Sequence, residues 1–281
     1  MARRVASGRA VKPRRAAVRR LVVHAASRPS PGFARVTLAS THDGFEDDFE
    51  YLGYDQWCRL FLPNARGDLV LPEGKAEGWY SRWLSLEEAD RPAVRNYTIR
   101  EARRAGDRWL IDIDFVVHRS AVGTVDGLAA RWALDAAPGD RVGLLDQGRI
   151  FGSPASGAPI TVVADESGLP GVEGIARSLA GRPARYLLEV PDAADIRDLP
   201  ATSPGSATWI VRQARRPPGA GALAALMARL LDAASYIYAV GEASLVFESR
   251  RLAASAGVDD DRIDFCAYWR GGRRAALPGG R

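Results

Sequence analysis

The hydrophobic rhythm of the chain changes once, near residues 151–158, and this limits the fold to two differently built halves. Before the change, short segments rich in β-branched and aromatic residues recur at 17–25, 33–40, 56–62, 93–100, 108–117 and 141–145, with Gly, Pro, Asn and Asp between them. The run WLIDIDFVV (109–117) alternates as a half-buried strand should. Six strands joined this way predict an antiparallel β-barrel. One helix is expected among them, opening at Gly127 and stopped by Pro138-Gly139-Asp140. After the change, strand-like segments at 159–165, 184–190, 207–212, 235–240 and 262–269 are separated mainly by helical patterns, at 168–181, 222–234 and 242–256. Strands alternating with helices predict a parallel sheet covered on both faces. Such a sheet takes its ligands beyond the carboxyl ends of its strands. The domain reading is a basic arm over 1–16, a barrel over 17–152 and an α/β domain over 158–281, with linker composition at 151–158 (FGSPASGA).

At 281 residues, length alone allows one large domain or two ordinary ones, so the rhythm decides. The net charge of +5 raises nucleic acid as a partner. That charge is concentrated in Arg3, Arg4, Arg9, Lys12, Arg14, Arg15, Arg19 and Arg20, and the balance beyond Arg20 is slightly negative. The arm therefore reads as a solvated tail, and nucleic acid is disfavoured as a partner. Cys58 and Cys266 stand outside any CxxC pair and read as buried thiols. The three histidines, His24, His42 and His118, have no metal-binding spacing, so no metal site is expected. No apolar run reaches the roughly 18 residues of a membrane span, and no secretory h-region follows the basic start. The expected location is the cytoplasm. Gly168, Gly171 and Gly174 are not a GxGxxG fingerprint, and no GxSxG element is present.

The sharpest local signal is Arg95-Asn96-Tyr97-Thr98-Ile99-Arg100. On a strand, Arg95 and Tyr97 share a face about 7 Å apart. The ring can cover a flat heterocycle while the arginine reaches a phosphate of the same ligand. Thr98 can exchange a hydrogen bond with a ring nitrogen. An ordinary exposed strand, with Arg outward and Tyr packed, reads equally well from these residues alone.

Five further segments fall in the same order along the chain and carry a resemblance. Arg95-x-Tyr97-Thr98-x-Arg100 resembles the RxYTxR signature of the siderophore-interacting proteins, the FAD-dependent ferric-siderophore reductases. Asp55-Gln56 before Leu60-Phe61-Leu62-Pro63, Asp114-Phe115-Val116-Val117-His118, Ala164-Asp165-Glu166-Ser167-Gly168-Leu169-Pro170, Ala239-Val240-Gly241-Glu242-Ala243-Ser244 and Tyr268-Trp269-Arg270-Gly271-Gly272 resemble other segments of that family. The resemblance implies a ferredoxin-reductase-like layout, an FAD-binding barrel followed by a nicotinamide-binding α/β domain. It implies that Arg95, Asn96, Tyr97 and Thr98 hold FAD. Asp114, Phe115, Val116 and His118 would line it, and the helix opening at Gly127, Leu128, Ala129 and Ala130 would meet the pyrophosphate with free N–H groups. Asp165-Glu166 and Gly241-Glu242 would border NADPH or NADH, with Tyr268, Trp269 and Arg270 closing over the flavin. Lys75, Arg82 and Arg270 are candidates for attracting an anionic ferric siderophore.

The implied reaction passes electrons from the nicotinamide through the flavin to Fe(III), which leaves its chelator as Fe(II). The redox work belongs to the cofactor, so no side-chain acid, base or nucleophile is expected. Arg212, Arg215 and Arg216 are available for a 2′-phosphate and favour NADPH. Two departures stand out. Leu128 and Ala130 occupy positions where the family has Pro and Ser, and Leu144–Phe151 replaces a GPRG turn. One lost phosphate donor, worth about 1 to 3 kcal/mol, predicts weaker FAD binding. The departures also admit a related flavoenzyme acting on an organic substrate, or a siderophore- or nucleotide-binding protein without redox function.

Overall fold

The computed structural model describes residues 10–120, 122–152, 154, 157–200, 202–203 and 206–271. The basic arm up to Arg9 and the motif residue Gly272 lie outside them. The chain forms two units, one spanning Lys12–Arg149 and the other beginning at Ile150.

The N-terminal unit contains strands β1 (Ala17–Ser30) and β2 (Phe33–Ser40), helix α1 (Phe45–Asp48), strands β3 (Trp57–Leu62) and β4 (Gly74–Lys75), and helix α2 (Trp79–Ser85). It continues through β5 (Ala93–Thr98), β6 (Glu101–Ala105) and β7 (Arg108–Val116), helix α3 (Leu128–Asp135) and β8 (Arg141–Asp146). The strands pair antiparallel in the order β5-β3-β8-β1-β2-β7-β6, and β4 lies beside the start of β1. The sheet curls on itself: beyond edge strand β5, Arg100 N donates to Asp112 O on β7 at 2.9 Å. The result is a half-barrel. Its core is the inward face of each strand, including Leu21, Val36, Leu60, Ile113 and Leu144, all essentially inaccessible.

The strand expected to be half-buried, β7, is buried on both faces. Ile111, Ile113 and Phe115 face the core, yet Asp112 and Asp114 on the other face are also buried. Each aspartate carries partners. Arg35 reaches Asp114 with two nitrogens at 2.6 and 2.9 Å, and Asp112 accepts from Thr37 Oγ1 at 2.7 Å and Arg103 Nη1 at 2.8 Å. Buried charge is tolerated only when so paired.

The C-terminal unit contains β9 (Ile160–Ala164), α4 (Leu169–Leu179), β10 (Ala184–Val190), β11 (Ala207–Val211), α5 (Ala220–Met227), β12 (Tyr236–Glu242), α6 (Ala243–Ser255) and β13 (Ile263–Trp269). All pairings are parallel, in the order β11-β10-β9-β12-β13. Strand order reverses between β9 and β12, which makes their carboxyl ends the switch point where such sheets bind ligands. Every residue of β12 is buried, as a central parallel strand requires. Phe151 also belongs to this unit by packing, edge-on against Tyr236 and Tyr238 at 5.2 and 5.6 Å.

Helix α5 stops at Met227 rather than running on to residue 234 as its pattern suggests. The apolar Leu230 beyond it is fully exposed. Asp232 and Ser235 build a local turn: Asp232 Oδ1 accepts from Ala234 N at 2.9 Å and Asp232 O from Ser235 N at 2.8 Å. Such side-chain turns compete with helical hydrogen bonds. Among the described residues no helix is long and apolar enough to cross a membrane, and no cluster of metal-ligating side chains forms.

Candidate functional site

In the N-terminal unit, the RxYT segment occupies edge strand β5, paired on one side with β3 through Arg95–Leu60, Asn96–Arg59, Tyr97–Cys58 and Thr98–Trp57. Alternation sends Asn96 outward, where its Oδ1 accepts from Arg59 Nη1 at 3.2 Å. Arg95 and Tyr97 share the other face, both half-buried, and Thr98 is buried. The Tyr97 ring packs on Phe115 at 4.4 Å, and Phe115 on Trp132 of α3 at 5.7 Å. This aromatic chain brings β5, the end of β7 and α3 together. Burial pushes the Tyr97 phenol above its usual range, so the ring stays neutral. Beyond it Val116 is half-buried and His118 exposed.

Helix α3 opens without a side-chain cap. Gly127 before it takes φ +87°, and a Cβ there would meet nothing within 4 Å. Leu128 is exposed, while Ala129 and Ala130 are buried against the sheet. An uncapped helix start with open space before it, together with a cation and a neutral ring on one face of β5, fits the phosphate and ring of a flavin dinucleotide. Asp114 contributes differently from its neighbours: its carboxylate is bound to Arg35.

Of the sequence candidates for substrate attraction, Lys75 and Arg82 lie in the N-terminal unit. Lys75 is exposed on β4 and lines a cleft of mixed charge with Lys12, Arg14, Arg15, Glu77 and Asp146. Arg82 is spent on structure, donating to Lys75 O, to Glu77 O at 2.9 Å and to Pro72 O at 3.5 Å. Arg270 belongs to the other unit, where it is exposed. At the end of β8, Asp146 accepts from Gln56 Nε2 at 3.0 Å and Gly148 N at 2.9 Å. Burial pushes its carboxyl up to about 6 against those two hydrogen bonds.

In the C-terminal unit, the switch point collects Asp165, Gly241, Glu242 and Trp269. Asp165 is fully buried and accepts from Ser167 N, Ser167 Oγ, Glu242 N and Trp269 Nε1. Burial, with Glu166 beside it, pushes its carboxyl up to about 6. Tyr268 is half-buried on the same strand end.

Glu166 turns the other way, into an ion-pair network that the sequence reading missed. Arg212 donates to both Glu166 oxygens and through Nε to Glu189 Oε1 at 2.6 Å. Glu189 also accepts from Gly219 N at 2.7 Å, Gly221 N at 2.6 Å and Ala222 N at 3.3 Å, and so closes the start of α5. The expectation that Arg212 is available to a 2′-phosphate is therefore corrected: two buried carboxylates occupy it. Arg215 and Arg216 remain exposed just beyond. The glycines of Gly219-Ala220-Gly221 were the readable signal, since a Cβ at 221 would stand 2.9 Å from Glu189 Oε2.

A model of the siderophore-interacting FAD-binding domain matches residues 22–150, and a model of the siderophore-interacting protein matches residues 158–272. The NADPH-dependent ferric-chelate reductase of Escherichia coli (strain K12) is 27% identical over 259 residues, covering 89% of this chain and 92% of its own. The crystal structure of a siderophore utilization protein from T. fusca superposes with a TM-score of 0.73 at 26% identity, covering 95% of this chain and 97% of that one. That of the siderophore-interacting protein SipS from Aeromonas hydrophila gives 0.70 at 27%, covering 92% and 93%. With its ferredoxin-reductase-like succession of a curled antiparallel sheet and a parallel sheet, the chain belongs to the siderophore-interacting protein family.

Proposed function

We propose that this chain is an FAD-dependent reductase that draws on NADPH to reduce iron(III) held in a chelate, releasing iron as Fe(II). The observation that carries this reading is the convergence of the RxYT edge strand, the end of β7 and the open start of α3 through Tyr97, Phe115 and Trp132. Family membership and the likeness to a ferric-chelate reductase support the same conclusion. Bound FAD supplies the link between two-electron hydride chemistry and one-electron reduction of iron.

The residues of the chain hold and orient. Tyr97 covers one ring face, Arg95 balances phosphate charge, and Thr98 offers a hydrogen bond to the ring. The N–H groups at the start of α3 meet the pyrophosphate. In the C-terminal unit the ends of β9 and β12 would hold the nucleotide, and Arg215 and Arg216 would recognise a 2′-phosphate and give NADPH preference over NADH. A cytoplasmic location is part of the same proposal.

The test is a visible absorption spectrum of the purified chain during FAD titration, followed by an assay with NADPH and ferric citrate in which Fe(II) is trapped by ferrozine. A shifted flavin spectrum and NADPH-dependent trapping are expected. Absence of flavin binding at high FAD would overturn the reading and favour a non-redox binding protein. Flavin reduction without Fe(II) would favour an organic acceptor.

A further inference from the structure

We infer that Asp165 and Glu242 are positioning residues that clamp the segment Trp269–Gly271, and so set where Trp269 and Arg270 stand. The consequence for the reaction rests on the reductase reading above; the clamp itself rests on geometry alone.

Strands β9 and β12 are parallel neighbours; Asp165 directly follows the end of β9 and Glu242 is the last residue of β12, so both carboxylates are delivered to one place. Asp165 Oδ2 accepts from Trp269 Nε1 at 3.2 Å and from Glu242 N at 2.6 Å. Its Oδ1 accepts from Ser167 N at 2.9 Å and Ser167 Oγ at 2.6 Å. Four donors and complete burial leave this carboxylate no open side for a nucleotide hydroxyl. Glu242 Oε2 accepts from Ser244 N, capping α6, and Oε1 accepts from Gly271 N at 3.1 Å.

The pairing register is built for this arrangement. Between β12 and β13, Gly241 faces Ala267 but Glu242 faces Trp269, so an irregularity at Tyr268 brings the tryptophan opposite the glutamate. Gly241 has φ +133°, and a Cβ there would stand 2.5 Å from Asp165 Cγ. The bare backbone at 241 is what lets Asp165 come close. With residues 269 and 271 tied down, Arg270 is presented to solvent between them. A cation held this way attracts an anionic chelate at lower entropic cost than one on a loose end.

The test uses the full chain labelled with 5-fluorotryptophan, the Trp269 signal being assigned as the ¹⁹F resonance lost in Trp269→Phe. Asp165→Ala is expected to shift or broaden that resonance and leave the others in place. If Asp165→Ala does not fold, Asp165→Asn, which keeps one acceptor oxygen, is expected to shift the same resonance by less. Glu242→Ala is expected to abolish exchange protection of the Gly271 amide, and Glu242→Gln to restore part of it. In steady-state assays, Asp165→Ala is expected to raise KM for ferric citrate roughly tenfold. An unmoved Trp269 resonance, or a rise confined to the NADPH KM, would overturn the proposal, the second outcome making these carboxylates nucleotide ligands. A wild-type chain inactive on ferric chelates would remove the reductase reading, while the resonance and exchange results would still decide the clamp.

Discussion

Arg212 Nε donates to Glu189 Oε1 at 2.6 Å, with the arginine side chain 14% and the glutamate 1% exposed. The other end of the guanidinium faces Glu166, so the cation is shared by two buried carboxylates. Removing it strands both. Arg212→Ala is expected to destabilise the chain by about 3 to 5 kcal/mol in chemical denaturation, the cost of breaking a buried pair. The exposed pair behaves oppositely. Arg215→Ala with Arg216→Ala should leave stability within about 0.5 kcal/mol and raise KM for NADPH roughly tenfold, with KM for NADH unchanged. Equal effects on both nucleotides would show that these arginines do not read the 2′-phosphate.

Gly241 and Gly127 separate two costs of adding a methyl group. Both have positive φ, but only at Gly241 would the Cβ strike a neighbour, Asp165. Gly127→Ala should cost about 1 to 2 kcal/mol through backbone strain alone. Gly241→Ala adds a collision with a carboxylate that cannot retreat, and should cost at least about 3 kcal/mol. Melting the two variants beside the wild type checks the order.

Leu128 is the first residue of α3 and is exposed. Proline suits that position, because the first N–H of a helix has no intrahelical partner. Leu128→Pro is expected to hold stability or raise it by up to about 1 kcal/mol through restriction of the unfolded chain. A loss of 2 kcal/mol or more would mean that this N–H is used within the fold.

Asp146 gives the N-terminal unit a definite pH response. Its carboxyl is raised to about 6 in the folded chain, above the usual carboxylate value of about 4. The folded state therefore holds the proton more tightly than the unfolded state. This stabilisation is fully present below pH 4 and is lost as pH rises through 6. Over that window wild-type stability should fall by about 2 to 3 kcal/mol more than that of Asp146→Ala, as read from denaturation midpoints at pH 4, 5, 6 and 7. Parallel pH profiles for the two proteins would remove Asp146 as the cause.

Much of the architecture was legible because hydrophobic period follows burial. The runs at 33–40 and 184–190 reappear as β2 and β10 with those bounds. Strand β6 was not legible: Glu-Ala-Arg-Arg-Ala lacks β-forming side chains and is held by its ladder with β7 and the Arg103–Asp112 contact. The end of α5 was hidden because its apolar pattern continues past the point where an aspartate turn takes over. For the candidate site, segments carried by strand ends could be read, since Arg95, Tyr97, Asp165 and Glu242 sit in short motifs. The partners that arrest them could not. Arg35 with Asp114 and Arg212 with Glu189 are 79 and 23 residues apart, and nothing local announces such pairs.

Glu189 closes the start of α5 with a carboxylate of the chain itself. A helix start left for a phosphate depends on supply, because its positive end goes unanswered until ligand arrives. Here the answer is encoded. The first turn of α5 is therefore electrostatically complete as the chain folds, with no bound anion needed to answer its positive end.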